Sequence, residues 1–272
     1  MSIVARRALL LAPALCALCF QADASAGLVA TYQFQNSLAA DQAGAPALTP
    51  INSGAFVSDT VLGRTRTVYQ RYSETNAPAS QSALRLDTAP LSLTSNNYAV
   101  EIVFTFTDNI SGNGWRRVVN SSDPSSMTEP GLHVDATNRL NIWQGIGHAG
   151  GFSLSLSAYH HVVLSVSPLG EKAYLNGALA VNYAASTPDA IATHYLSFFQ
   201  DNGFEYANGR VALIRVFDAA LSASEVSDLY NGGDPFPASS VPEPSTILTA
   251  MLSCVFGIGA ALRRRSGSSR VA

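Results

Sequence analysis

Tyr98-Ala99-Val100-Glu101-Ile102-Val103-Phe104-Thr105-Phe106-Thr107 is the stretch on which the fold turns. Tyr98, Val100, Ile102, Phe104 and Phe106 alternate with Ala99, Glu101, Val103, Thr105 and Thr107. A period of two sends successive side chains to opposite faces, so the run predicts an antiparallel strand with one buried and one wetter face. Shorter runs of the same kind follow at 132–134, 140–143, 152–156, 160–166, 173–175, 195–199 and 211–217. Turn chemistry separates them. Asp135-Ala136-Thr137-Asn138 lies between two runs, and Asn176-Gly177 predicts a tight hairpin because both residues tolerate positive φ. Many short strands with regular turns predict an all-β, two-sheet antiparallel sandwich or jelly roll. One short C-terminal helix stands apart. Ser222 and Glu225 form a capping box, Leu221 can staple onto Val226, and the helix runs to about Tyr230 before Asn231-Gly232-Gly233 stops it.

Both ends carry targeting chemistry. Arg6-Arg7, an apolar run over 8–20 and the small residues Ala24-Ser25-Ala26 make residues 1–26 a secretory signal peptide, cut after Ala26. Its partners are an export translocase and a signal peptidase. Arg6-Arg7 also fits a minimal twin-arginine pattern, so the export route stays open. Neither Cys16 nor Cys19 follows the run that lipoprotein processing needs. At the other end, Val241-Pro242-Glu243-Pro244-Ser245-Thr246 precedes an apolar segment over 247–262 and then Arg263-Arg264-Arg265. Sixteen uncharged residues at ~1.5 Å each span ~24 Å, slightly short of a hydrocarbon core. The arginines orient such a transmembrane segment with its positive side inward. The pattern over 241–265 resembles the PEP-CTERM sorting signal. That resemblance implies a transient inner-membrane anchor, recognition by an exosortase near Pro242-Glu243-Pro244, and a destination at the cell surface or in the exopolysaccharide matrix of a Gram-negative bacterium.

All three cysteines lie in these two end segments, which leaves residues 27–238 without a disulfide or a thiolate metal site. About 210 residues are enough for one domain to stand on its core alone. This part of the chain carries ten Lys and Arg against seventeen Asp and Glu, a net −7, with Lys172 its one lysine. Such a surface does not favour nucleic acid. It is compatible with calcium.

Several further pieces occur in a telling order. Tyr32-Gln33-Phe34 leads to Asn36-Ser37-Leu38 and Asp41; Ser82-Ala83-Leu84-Arg85-Leu86-Asp87 precedes the opening strand described above. Tyr159-His160-His161-Val162-Val163-Leu164 is followed by Lys172-Ala173-Tyr174-Leu175-Asn176-Gly177. Gly209-Arg210-Val211-Ala212-Leu213-Ile214-Arg215-Val216-Phe217 ends at the capped helix. The ordered set resembles the LamG-like branch of the concanavalin A-like lectin/glucanase superfamily, with Tyr159 standing where that family has most often tryptophan. The resemblance implies a jelly roll over 27–233, followed by a stiff linker over 234–240.

Function must then be sought in a site. Retaining glycosidases of this superfamily carry a Glu-x-Asp-x-x-Glu strand, because retention needs carboxyls only ~5 Å apart. Glu101 has no such partners in its run, and the chain is expected to be non-catalytic. His160 and His161 point to opposite strand faces and cannot chelate one ion together, so one is expected inside and the other in solvent. The resemblance gives His161 a structural role. Calcium takes oxygen ligands from rim loops. Asp41 is the first candidate by resemblance, with Asp201 and Asn202 second; Asx-turns are the plainer reading of all three. Sugar rings stack on exposed aromatics, which singles out Trp115 and Trp143, with Phe204 and Tyr206 beside them. Core-edge packing is the competing role of each ring. The expected function is non-catalytic binding of extracellular polysaccharide. A structural or adhesive module that binds proteins is the alternative, and a glycosidase or lyase the third reading.

Overall fold

Side chains that alternate between core and non-core positions set the two layers of the protein. The computed structural model describes residues 25–75, 77–109, 111–121, 130–143, 147–184, 194–232 and 235–236. Most of the signal peptide, the linker beyond Phe236 and the sorting segment with its apolar span 247–262 lie outside the described residues. Within them, no helix is long and apolar enough to cross a membrane.

In chain order the strands are β1 (Leu28–Tyr32), β2 (Thr49–Ile51), β3 (Gly54–Val61), β4 (Arg64–Arg71) and β5 (Ala83–Asp87). Next come β6 (Tyr98–Phe106), β7 (Arg116–Asn120), β8 (Gly131–Val134), β9 (Arg139–Trp143) and β10 (Gly147–Ser153). The last are β11 (His160–Ser167), β12 (Gly170–Leu175), β13 (Ala178–Tyr183), β14 (Tyr195–Phe198) and β15 (Gly209–Phe217), followed by helix α1 (Ala223–Asn231). One sheet runs β13-β12-β11-β6-β15-β4-β3, with β1 also pairing on β15; the other runs β10-β9-β8-β7-β14-β5-β2. Every pairing is antiparallel. The expected all-β sandwich is the observed one.

Between the sheets, Val100, Ile102, Phe104 and Phe106 of β6 meet Leu132 and Val134 of β8, Leu140 and Ile142 of β9, and Leu196 and Phe198 of β14 in a single buried cluster. The far face of β6 departs from the expectation of a wetter side: all nine residues of the strand are buried. Two elements cover it. Helix α1 brings Leu221 and Val226 onto Ala99, Val163 and Tyr174. Phe236, assigned to the linker from the sequence, packs instead with Val61, Val68, Val103, Ala212 and Leu213, and only 7% of it is exposed. Removing a phenylalanine ring from water is worth about 1.5–3 kcal/mol and favours this docking against the sheet.

Local chemistry follows the sequence closely. Asn176 and Gly177 have φ of 49° and 79°, as the hairpin requires. The capping box is formed: the Ser222 amide donates to Glu225 Oε2 at 2.7 Å, and the Glu225 amide to Ser222 Oγ at 3.3 Å. The strand expected over 152–156 instead begins at Gly147, and Leu154 enters the core just beyond its end.

The histidine pair differs from its expectation as well. Neither ring is left in solvent. The His160 ring meets the backbone of Ser155, while His161 Nε2 lies 3.0 Å from Glu101 Oε1 with both side chains buried. Arg215 holds the other oxygen of Glu101 at 3.2 Å. Glu101 is thus consumed in a buried bridge beneath α1.

Candidate functional site

The site grows from the second sheet on the face turned away from the core. Leu132 and Val134 take the core side of β8, and Leu140 and Ile142 that of β9, which forces His133, Asn141 and Trp143 to the other face. His133 pairs with Arg117 of β7 on one side and with Asn141 of β9 on the other. Arg117, His133 and Asn141 therefore form a polar row across three strands, and all three are buried.

Two loops close over this row. In the loop 111–115, Asn113 Oδ1 accepts the Trp115 amide at 2.9 Å and orients the indole. The Trp115 and Trp143 rings meet edge to face at 5.5 Å, and His133 lies 6.0 Å and 6.4 Å from them. Both indoles are half-buried. In the loop 201–208, Asp201 Oδ1 accepts Arg117 Nη2 at 3.1 Å, while its Oδ2 accepts the amides of Gly203 and Glu205 at 2.7 and 3.2 Å. Glu205 reaches back to the aromatic cluster: Asn113 Nδ2 donates to its Oε1 at 3.1 Å, and His133 Nε2 lies 3.4 Å from its Oε2.

The electrostatics follow from burial. The His133 imidazole is pushed well below its ordinary pKa, first by burial and then by the positive charge of Arg117, so it is neutral. Glu205 is shifted up, again by burial first and then by the charge of Asp201. The site thus presents a neutral imidazole and a carboxyl that gains a proton more readily than usual, beside two partly exposed indoles.

His133, Asp201 and Glu205 each offer one atom within 4.8 Å of the others, the only such group among the described residues. Their surroundings do not suit a resident cation. Asp201 has both oxygens engaged, one of them by a buried guanidinium that already answers its charge.

Of the residues singled out from the sequence, the structure brings Trp115, Trp143 and Asp201 together. Asn202 and Phe204 sit on the adjoining loop, half-buried and 58% exposed respectively. Tyr206 turns inward: it is 1% exposed, and its hydroxyl donates to Asn208 Oδ1 at 3.2 Å. Asp41 lies elsewhere, exposed, accepting Gln33 Nε2 at 2.6 Å. The processing residues Pro242, Glu243, Pro244, Arg263, Arg264 and Arg265 lie outside the described residues, whereas Ala26 is half-buried at the start of the domain. Asn113, Arg117, His133 and Glu205 escaped the reading of the sequence. The parity of Leu132-His133-Val134 was the available signal for one of them; nothing local announced the rest.

Comparison with known proteins agrees with this architecture. The family model described as the concanavalin A-like lectin/glucanases superfamily matches residues 78–227, from the turn before β5 into α1. The chain belongs to that superfamily. A second model, the PEP-CTERM protein-sorting motif, matches residues 240–265 of this concanavalin A-like protein and marks it for export. No curated protein sequence matches it. Among solved structures, it is similar to domain 4 of AbnA, a GH43 extracellular arabinanase from Geobacillus stearothermophilus, in complex with arabinotriose. The two share 17% identity with a TM-score of 0.54, over 76% of this chain and 99% of the other. It is also similar to a structure of botulinum neurotoxin type C, whose cell entry depends on interaction with two ganglioside molecules, at 12% identity and TM-score 0.54 over 75% of this chain. The binding domain of botulinum neurotoxin DC in complex with SialylT gives 12% identity and TM-score 0.55 over 76% of this chain. The concanavalin A-like chain spans about half the length of those toxin chains, 51% in each case. At such identities the likeness is one of fold.

Proposed function

We propose that this protein is a non-catalytic, exported matrix or surface component that binds extracellular polysaccharide through the Trp115–Trp143 face. The observation that carries the reading is the aromatic cluster itself. Two half-buried indoles meet edge to face, with the Glu205 carboxyl and the Asn113 amide beside them. Indoles offer apolar area to the C–H faces of a sugar, while carboxyl and amide groups bind its hydroxyls. The arabinotriose and ganglioside named for its structural neighbours support a glycan as the ligand class. The sorting motif supports the compartment, with an exosortase as processing partner after a translocase and signal peptidase. Calcium belongs to this proposal through Asp41 and the rim loops, since Asp201 is committed to Arg117.

The test is co-sedimentation of the exported protein with its host's exopolysaccharide, in calcium and in chelator, with Trp115→Ala alongside. Binding that Trp115→Ala abolishes supports the site, and its dependence on chelator decides the place of calcium. Absence of binding in both conditions removes the glycan reading in favour of a protein-binding module.

A second reading has its own observation. Glu205, with its raised pKa, lies close to the Asp201 carboxyl, as a general acid beside a second carboxylate would. The engagement of Asp201 weighs against it. Release of reducing sugar from the same polysaccharide, lost in Glu205→Gln, would establish it.

A further inference from the structure

The first residue expected after signal-peptide removal is Gly27, and its surroundings are unusual. The Gly27 nitrogen donates to Asp218 Oδ1 at 2.6 Å, and the Asp218 amide donates back to the Gly27 carbonyl at 3.0 Å. Leu28 pairs with Phe217 immediately beside them, so strand pairing of β1 on β15 brings the two residues together. A Cβ on Gly27 would stand 2.7 Å from Asp218 Oδ2 and 3.1 Å from its Cγ, so the carboxylate lies directly against Gly27. In the uncut chain that nitrogen is a neutral amide. Ser25 Oγ then donates to Glu225 Oε1 at 3.1 Å, and Ala26 packs beside Leu221 and Val226.

We infer that Asp218 is a receptor for the new α-ammonium group of Gly27, so that maturation itself completes an ion pair at the start of the fold. This rests on the export reading, with cleavage after Ala26. Hydrolysis of the Ala26–Gly27 bond takes up one water. The signal peptide leaves with the Ala26 carboxylate, and the Gly27 nitrogen becomes an amine that is protonated near neutral pH. A short amide hydrogen bond thereby becomes a charge-assisted one at an unchanged position. The contacts of Ser25 and Ala26 with α1 go with the signal peptide, and Glu225 keeps its capping role on Ser222.

The charged groups around this corner are Asp218 on the end of β15 and Glu225 on α1, with Lys172 of β12 across the cleft that Ser25 and Glu225 line. The sign of the pH effect is set by the amine. Asp218 raises its pKa in the folded state above the ordinary 7.7–8.0 of an α-amine. The stabilisation is therefore fully present below about pH 7.7 and is lost as pH rises through the raised value.

The experiment uses the protein exported by its own host, sequenced from its N-terminus and melted between pH 7 and 9. Four forms are compared: the parent, Asp218→Asn, a form with two residues inserted between Ala26 and Gly27 so that processing leaves Gly27 an amide, and that insertion combined with Asp218→Asn. Because Glu225 and Lys172 are common to all, they cancel. We expect the parent to begin at Gly27, to melt above Asp218→Asn at pH 7, and to lose most of that lead by pH 9. In the inserted background, Asp218→Asn should show no such pH-dependent gap. A mature chain that begins elsewhere removes the export premise and the inference with it. A chain that begins at Gly27 with the same gap in both backgrounds removes the inference alone.

Discussion

The guanidinium of Arg66 lies 3.4 Å from the ring centroid of Phe236, stacked as a cation on an aromatic face. Arg215 adds a hydrogen bond to the carbonyl of Pro235. Together they hold the chain against the outer face of the first sheet only four residues before the sorting motif begins at residue 240. The folded domain and its sorting tail are therefore nearly contiguous.

Phe236→Ala removes a buried ring from a cluster with Val61, Val103 and Leu213. The expected loss is about 2–4 kcal/mol, at the lower end for a core phenylalanine because the ring sits at the margin of the domain. At this chain length that corresponds to a fall in Tm on the order of 5–12 °C. Thermal melts of the variant and of a chain ending at Gly232 check it; equal stability of all three would show that Phe236 contributes nothing.

Trp115→Ala should weaken polysaccharide binding about tenfold or more, since a single anchoring aromatic often carries over 1 kcal/mol of an interface. Tyr206→Phe serves as its control. That ring is buried away from the site and loses one hydrogen bond to Asn208, so about 1 kcal/mol of stability should go with binding unchanged. Isothermal titration of both variants separates the two roles.

Acidification should destabilise the fold through His133. Its folded pKa is depressed by burial and by Arg117, so its contribution is present above the unfolded value of about 6.5 and is lost as pH falls below it. The limiting slope is about 1.4 kcal/mol per pH unit for one fully linked histidine. His160, also depressed by burial, adds in the same direction, while the raised Glu205 opposes it at lower pH. Denaturant unfolding between pH 7 and 5 should show a shallower slope in His133→Gln than in the parent.

Asp201→Ala removes the carboxylate that answers the buried Arg117 guanidinium, at an expected cost of about 3–5 kcal/mol. Replacing both, as Arg117→Met with Asp201→Ala, should recover part of that loss, because the buried charge is removed together with the carboxylate that answers it. A double-mutant cycle by urea unfolding measures the coupling. Additive losses would mean that the pair is not coupled.

The strands that were legible in the sequence are those with large apolar residues on one parity. β6, β11 and β15 were evident from Val, Ile, Leu and Phe alone. The β3–β4 hairpin was not, since Thr65, Arg66 and Thr67 carry no hydrophobic period and its turn at Leu62-Gly63 lacks the usual asparagine. β10 was displaced because four of the residues in 147–153 are glycine or alanine, too small to mark a face. In the candidate site, Trp115 and Trp143 were visible as bulky rings in suggestive places. That Asp201 faces a guanidinium depended on Arg117, which stands 84 residues away.

Periodicity, turn residues and the C-terminal segment by themselves determined the all-β class, the capped helix, the hairpin at Asn176-Gly177 and the sorting motif, because each is encoded by neighbours within a few residues. Only the tertiary structure decided that Glu101 serves a buried bridge with His161 and Arg215, that Phe236 belongs to the domain, and that Glu205 joins Trp115, His133 and Trp143 in one site. Those relationships cross from strand to strand and from loop to loop. Register and loop closure select the partners there, and no local pattern records them.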